Sequence, residues 1–171
     1  LFATGKARHP AITRIGDPAL RTFRKALNAL CLDLAHQVIR DGEGAQKFIE
    51  IAVSGAKSAK AARTIGLSIA NSPLVKTAIA GGDANWGRIV MAVGKSGQAI
   101  AETSLNISVG GHPVAINGAP PPDYDEAPVA AHLQGDNIDI SVDIGLADGR
   151  ATVWTCDLTH GYISINADYR S

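Results

Sequence analysis

The sequence has few aromatic residues, 5% of its 171 positions, and no excess of either charge, since 16 Lys and Arg balance 16 Asp and Glu. A neutral chain without a Lys/Arg run lacks the basic face of a nucleic-acid binder and the cationic patch that an anionic membrane attracts. No apolar run approaches the ~20 residues of a membrane helix. No charged leader followed by an apolar core and a small-residue cleavage site opens the chain. Cysteine is scarce as well. Cys31 and Cys156 form no CxxC and no Cys/His ligand spacing. Both read as reduced core residues of a cytosolic protein, with a disulfide between them left open by the sequence. None of His9, His36, His112, His132 and His160 has a second ligand residue at metal spacing, so no metal site is expected. "AVGKSG" at 92–97 ends like a phosphate-binding loop, but Ile89 stands where that motif needs its first glycine. No GxSxG elbow supports a serine hydrolase.

What is present is a helix-rich first half and a β-rich second half, an α+β pattern. Asp17-Pro18 is a helix start, with Asp as N-cap and Pro at the first helical position. Leu20, Phe23, Leu27, Leu30, Cys31, Leu34 and Val38 then recur at three- and four-residue steps, one apolar stripe that Gly42 terminates. "FIEIAV" at 48–53 reads as a short buried strand. Residues 57–70 read as a helix, Ser72-Pro73 as the start of another through Ala80, and residues 85–93 as a third short one. Residues 104–109 and 113–116 read as two strands about a "GGH" turn. The proline-rich "APPPDYDEAP" is a surface loop, and a short helix is expected at 129–133. Ile138, Ile140, Val142 and Ile144 alternate with Asp139, Ser141 and Asp143, the period of a strand with one wet face. A hairpin turn at Ala147-Asp148-Gly149 and a return strand at 151–158 are expected to follow, then a last strand at 161–165. The domain reading places residues 1–80 in a main layered α/β domain and 81–171 in a smaller C-terminal α+β region with antiparallel strands. "LFATG" begins with strand character and no initiator Met, as the interior of a longer polypeptide does.

Two clusters draw attention. "GGDANWGR" at 81–88 gathers Asp83, Asn85, Trp86 and Arg88, which a capped helix explains if Trp86 packs inward and Arg88 pairs with Asp83. "DGEGA" at 41–45 puts Glu43 between two glycines just past a helix C-terminus, where the dipole favours cations. Either Glu43 is a solvated acid at a helix end, or it binds an ammonium group, with Gly42 and Gly44 leaving the backbone open to a ligand.

"NSPLVKTAIAGGDANWGRI" at 71–89 resembles the ornithine acetyltransferase family, also called bifunctional glutamate N-acetyltransferase. "DGEGAQKFIEI" at 41–51 and "CDLTHGYISINADYRS" at 156–171 match further segments of that family in the same order. The resemblance implies a layered sandwich similar to N-terminal-nucleophile hydrolases. It implies a precursor that cleaves itself before a Thr into α and β chains, and an acetyl-threonine that carries the acetyl group from N-acetyl-L-ornithine to L-glutamate in arginine biosynthesis. The free α-amine of such a Thr serves as its own base. This chain resembles the C-terminal part of the β chain and contains neither that Thr in its apolar context nor the oxyanion segment. Thr4 in "FATGK" matches a point well downstream of the cleavage site. The resemblance therefore places no catalytic residue in this chain and implies that the chain alone is inactive.

What carries over is substrate binding by Glu43, Asn166 and Ser171, the last standing where Thr is common and keeping the hydroxyl. An ordered C-terminus, packed through "YISIN", follows as an expectation. No cofactor is implied, although acetyl-CoA is a second donor in bifunctional members. The implied partners are the α chain and the rest of the β chain in a cytoplasmic hetero-oligomer. The rival readings are a non-catalytic β-domain that completes a heteromer, and a relative that works as an amide hydrolase or aminopeptidase.

Overall fold

The computed structural model describes residues 4–6, 8 and 11–168. They fall into two compact units, one up to Gln37 and one from Val38 onward.

In the first unit Asp17 caps a 3-10 turn, Pro18–Leu20, its carboxylate accepting from the Ala19 N–H at 2.9 Å. The chain continues directly into helix α1, Arg21–Arg40, all but the last three residues of which belong to this unit. The helix forms where the periodicity places it, but no residue of it is buried. Phe23 is 48% and Leu30 55% exposed. Cys31 is exposed too, which corrects the expectation of a core cysteine. The physical reason is local: a helix stripe needs a second layer, and this unit contains a single α-helix among its described residues.

The second unit is built on a mixed five-stranded sheet. Its strands are β1 (Phe48–Ala56), β2 (Asn106–Val109), β3 (His112–Ala115), β4 (Asn137–Asp143) and β5 (Gly149–Cys156), in the order β3-β2-β4-β1-β5. Helices α2 (Ala59–Ala70), α3 (Pro73–Ala80), α4 (Trp86–Lys95), α5 (Ala127–Leu133) and α6 (His160–Ala167) complete it. The α+β class holds. β1 pairs parallel with β4, Ile51 opposite Ile140, and antiparallel with β5, Ile51 opposite Val153. Ile49, Ile51, Ile138, Ile140 and Val142 form the sheet's share of the core. α2 packs on β1 and β5, burying Ala62, Ile65 and Ile69. The alternation in β4 is as expected: Ile138, Ile140 and Val142 are buried, and Asp139 and Ser141 are exposed. Gly110 and Gly111 turn β2 into β3 with φ of 59° and 76°, the two positive values a type I′ hairpin needs.

Several expectations are corrected. β4 and β5 are not hairpin partners, because β1 lies between them. The 146–147 stretch passes over the end of β1, where the Leu146 and Ala147 N–H groups both donate to the Gly55 carbonyl at 2.7 and 2.9 Å. Arg88 does not pair with Asp83. Its Nη1 donates to the Leu74 carbonyl at 2.9 Å and lies 3.4 Å from the Thr77 hydroxyl, while Asp83 accepts from the Asn85 amide at 3.2 Å. Asn85 does cap α4, and Trp86 does pack against the core. Cys156 ends β5 half-buried, and both cysteines are free.

The largest correction concerns 161–165, which is not a strand but most of α6. Tyr162, Ile163 and Ile165 carry β propensity, yet propensity in so short a segment yields to its surroundings. The Thr159 hydroxyl caps the helix, accepting from the Gly161 N–H at 3.1 Å.

Candidate functional site

Residues 41–47 connect α1 to β1 and include Glu43. α6 carries Asn166 in its last turn. The fold lays one on the other. The Asn166 side-chain amide donates to Glu43 Oε2 at 2.7 Å and to the Tyr162 carbonyl at 2.9 Å. Both side chains are exposed. Ser171, the third residue expected at this site, lies outside the described residues.

Glycine makes the approach possible. Gly44 has φ of 71°, and a Cβ there would sit 2.6 Å from the Gly161 carbonyl carbon and nearer still to the Tyr162 nitrogen. Gly44 therefore admits the start of α6 and not a ligand, which corrects its expected role. Gly42 likewise faces chain: a Cβ there would meet Ile39 O at 3.2 Å and Cys156 Sγ at 3.3 Å.

The loop is fastened along its length. Thr159 Oγ1 donates to the Gly44 carbonyl at 2.6 Å. The Gln46 and Lys47 N–H groups both donate to Asp157 Oδ1, at 2.8 and 3.0 Å. The Asp157 N–H returns a bond to the Lys47 carbonyl at 3.2 Å. The Lys47 ammonium then donates to Ile79 O at 2.8 Å and Leu133 O at 2.6 Å, holding the last turns of α3 and α5. Sequence reasoning assigned nothing to Asp157, Thr159 or Lys47. The one signal available was Thr159 two residues before a glycine, an N-cap that the strand reading obscured.

Beside this contact lies an open groove of about 730 Å³. Its walls include Gly44, Gln46, Thr77, Gly81, Thr159 and His160, so it begins one residue after Glu43.

The polar groups at the contact can do a limited set of things. Both hydrogens of the Asn166 amide are committed, one to Glu43 and one to Tyr162. Among the described residues, what remains is the Asn166 carbonyl oxygen and the second Glu43 oxygen, both acceptors. They stand at the C-terminal end of α6, whose dipole adds partial negative charge. Acceptor oxygens in such a place can pair with a hydrogen-bond donor, most strongly with a cationic one.

The family model of the ArgJ family matches residues 1–171. The chain belongs to the ArgJ family. Two ArgJ relatives, each named arginine biosynthesis bifunctional protein ArgJ, are similar throughout. The one from Zymomonas mobilis is 62% identical over 170 residues, covering 99% of this chain and 42% of the relative. The one from Gluconobacter oxydans is 58% identical over 171 residues, covering 100% of this chain and 40% of the relative. The chain thus spans about two fifths of the curated ArgJ proteins it matches. A crystal structure of arginine biosynthesis bifunctional protein argJ from Bacillus halodurans is 40% identical, with a TM-score of 0.86 over 92% of this chain and 74% of that one. Among the described residues no helix is long and apolar enough to cross a membrane.

Proposed function

We propose that this chain supplies the amino-acid-binding part of an acetyltransferase that moves the acetyl group of N-acetyl-L-ornithine to L-glutamate. The observation that carries the reading is the 2.7 Å contact between Glu43 and Asn166, which uses the amide donor and leaves acceptor oxygens on two exposed side chains. An ammonium group of the acetylated amino acid satisfies them. Ser171 is the third contact in this reading. The names of the ArgJ relatives support a place in arginine biosynthesis.

The chemistry belongs to the full-length protein. A threonine hydroxyl on another segment attacks the acetyl carbonyl, and its proton passes through the threonine's α-amine to the departing amine as the amide C–N bond breaks. The neutral α-amine of glutamate then attacks the resulting ester, the C–O bond breaks, and the threonine oxygen regains its proton. In this scheme the residues of the present chain bind and orient. A charge-assisted hydrogen bond to Glu43 contributes about 1.5–3 kcal/mol. Transfer between the two amino acids calls for no metal or cofactor, and acetyl-CoA serves as a second acetyl donor. The partners are the α chain and the remainder of the β chain, in a cytoplasmic heteromer.

The test is steady-state kinetics of the full-length protein with N-acetyl-L-ornithine and L-glutamate, alongside mass spectrometry of the acetylated threonine peptide. Glu43→Gln is expected to raise KM for N-acetyl-L-ornithine at least about tenfold, in keeping with the loss of a charged partner. An unchanged KM refutes the assignment of Glu43. Absence of any acetyl-threonine peptide refutes the covalent route.

A further inference from the structure

A substrate site made by one loop residue and one helix residue depends on whatever holds the loop to the helix. Here one side chain does both tasks. The Thr159 hydroxyl accepts from the Gly161 N–H at 3.1 Å, which caps α6, and donates to the Gly44 carbonyl at 2.6 Å, which seats the loop. Glu43 is one residue before the gripped carbonyl, and Asn166 lies two turns along the capped helix. Between the two grips the backbones touch: a Cβ on Gly161 would stand 3.1 Å from Gly44 Cα.

Asp157 secures the same loop from beneath. It is 3% exposed, the one charged residue buried among those described. Its Oδ1 takes two backbone N–H groups, while its Oδ2 is buried without a partner among the described residues. An unsatisfied buried oxygen is costly, and such a group asks for a compensating role. Fastening residues 46 and 47 supplies one.

We propose that Thr159 is a positioning residue for the amino-acid site: its hydroxyl fixes the Glu43 loop and the Asn166 helix in one geometry, on a base that Asp157 anchors. The inference rests on the substrate reading of Glu43. Thr159 touches no reacting atom. It sets how well an ammonium fits and leaves the rate of acetyl transfer at saturation alone.

The experiment uses the full-length protein and four variants: Thr159→Val, Thr159→Ser, Glu43→Gln and the Thr159→Val/Glu43→Gln double. Loss of one hydrogen bond predicts a KM for N-acetyl-L-ornithine raised about five- to tenfold in Thr159→Val, with kcat changed less than about twofold. Thr159→Ser keeps the hydroxyl and is expected to stay close to the parent. In the Glu43→Gln background the valine substitution is expected to add little, because it acts through Glu43. Thr159→Asp still caps α6 but has no proton for the Gly44 carbonyl, so it replaces valine if that variant does not fold, with the same KM rise expected. An unchanged KM, an effect of equal size in both backgrounds, or failure of serine to rescue overturns the inference. If Glu43→Gln raises KM and Thr159→Val does not, the inference alone falls. If Glu43→Gln itself leaves KM unchanged, the substrate reading falls and takes the inference with it.

Discussion

Glu43 and Asn166 stand 123 positions apart in the chain and 2.7 Å apart in the fold. The pair is polar, exposed and directional, with the amide donating and the carboxylate accepting. Asn166→Asp tests that direction. It keeps the size of the side chain but sets a second carboxylate against Glu43. Like charges at that distance repel, and the donor to the Tyr162 carbonyl is lost as well. In the full-length protein this substitution is expected to loosen the last turn of α6. It is not expected to raise affinity for an ammonium ligand, despite the added negative charge. Measurement of KM for N-acetyl-L-ornithine together with amide hydrogen exchange at residues 160–167 checks both points. Tighter binding in the variant contradicts the geometry.

Lys47 joins the loop to the main body. Its ammonium is shared between the Ile79 and Leu133 carbonyls, in the final turns of α3 and α5. Lys47→Met keeps the aliphatic stem and removes both bonds. The two carbonyls then lose a charged donor, a destabilisation of about 2–4 kcal/mol. Urea denaturation of the full-length protein measures it. A change below about 0.5 kcal/mol, the size typical of ordinary surface substitutions, counts against a structural role for the ammonium.

Tyr124 offers a pH dependence whose sign is defined. Its hydroxyl is buried without a hydrogen-bond partner among the described residues. Burial first, and then the negative charges of Glu126, Asp125 and Asp83, push its pKa above the ordinary 10.0. Above that pH the unfolded chain gives up the phenol proton more readily than the folded one. Stability from this group is therefore complete below the ordinary value and is lost as pH rises beyond it. Tyr124→Phe removes both the orphan hydroxyl and the titration. It is expected to be neutral or stabilising by up to about 1 kcal/mol at pH 7. Melting temperatures from neutral pH upward are expected to diverge in favour of phenylalanine on the alkaline side. Parallel curves exclude the effect.

What the sequence made legible follows the range of the interactions concerned. β4 was readable because Ile138, Ile140 and Val142 alternate with polar residues, and the β2–β3 turn because two glycines stand where two positive φ angles are needed. α2 was readable from its run of alanines, and α3 from its cap, Ser72. Each of these is a local signal. The hairpin expected between β4 and β5 failed because a strand from far earlier in the chain, β1, pairs with both. α6 failed because what settles its form is tertiary: the grip of Thr159 on Gly44 and the backbone contact of Gly161. The meeting of Glu43 with Asn166 left no trace in spacing or periodicity. Only family resemblance named the two together.

Gly42 and Gly44 look equivalent in the sequence and are distinct in the fold. Gly44 sits at φ of 71° with the Gly161 and Tyr162 backbone against it. Alanine there meets two penalties: the left-handed conformation, and a collision with main chain that cannot rotate away. Together these amount to about 2–4 kcal/mol. At Gly42 the tightest approaches are 3.2 Å to Ile39 O and 3.3 Å to Cys156 Sγ, close enough to require only a slight shift. Gly42→Ala is therefore expected to cost about 1 kcal/mol or less. The two variants should also separate in function. In Gly44→Ala the loop must lift from α6, carrying Glu43 away from the Asn166 amide, so affinity for an ammonium ligand falls along with stability. In Gly42→Ala the contact between Glu43 and Asn166 stays in place and affinity is retained. Denaturation midpoints and KM, measured on both variants of the full-length protein, decide the matter. Equal behaviour of the two refutes the account of Gly44 as the point where loop and helix meet.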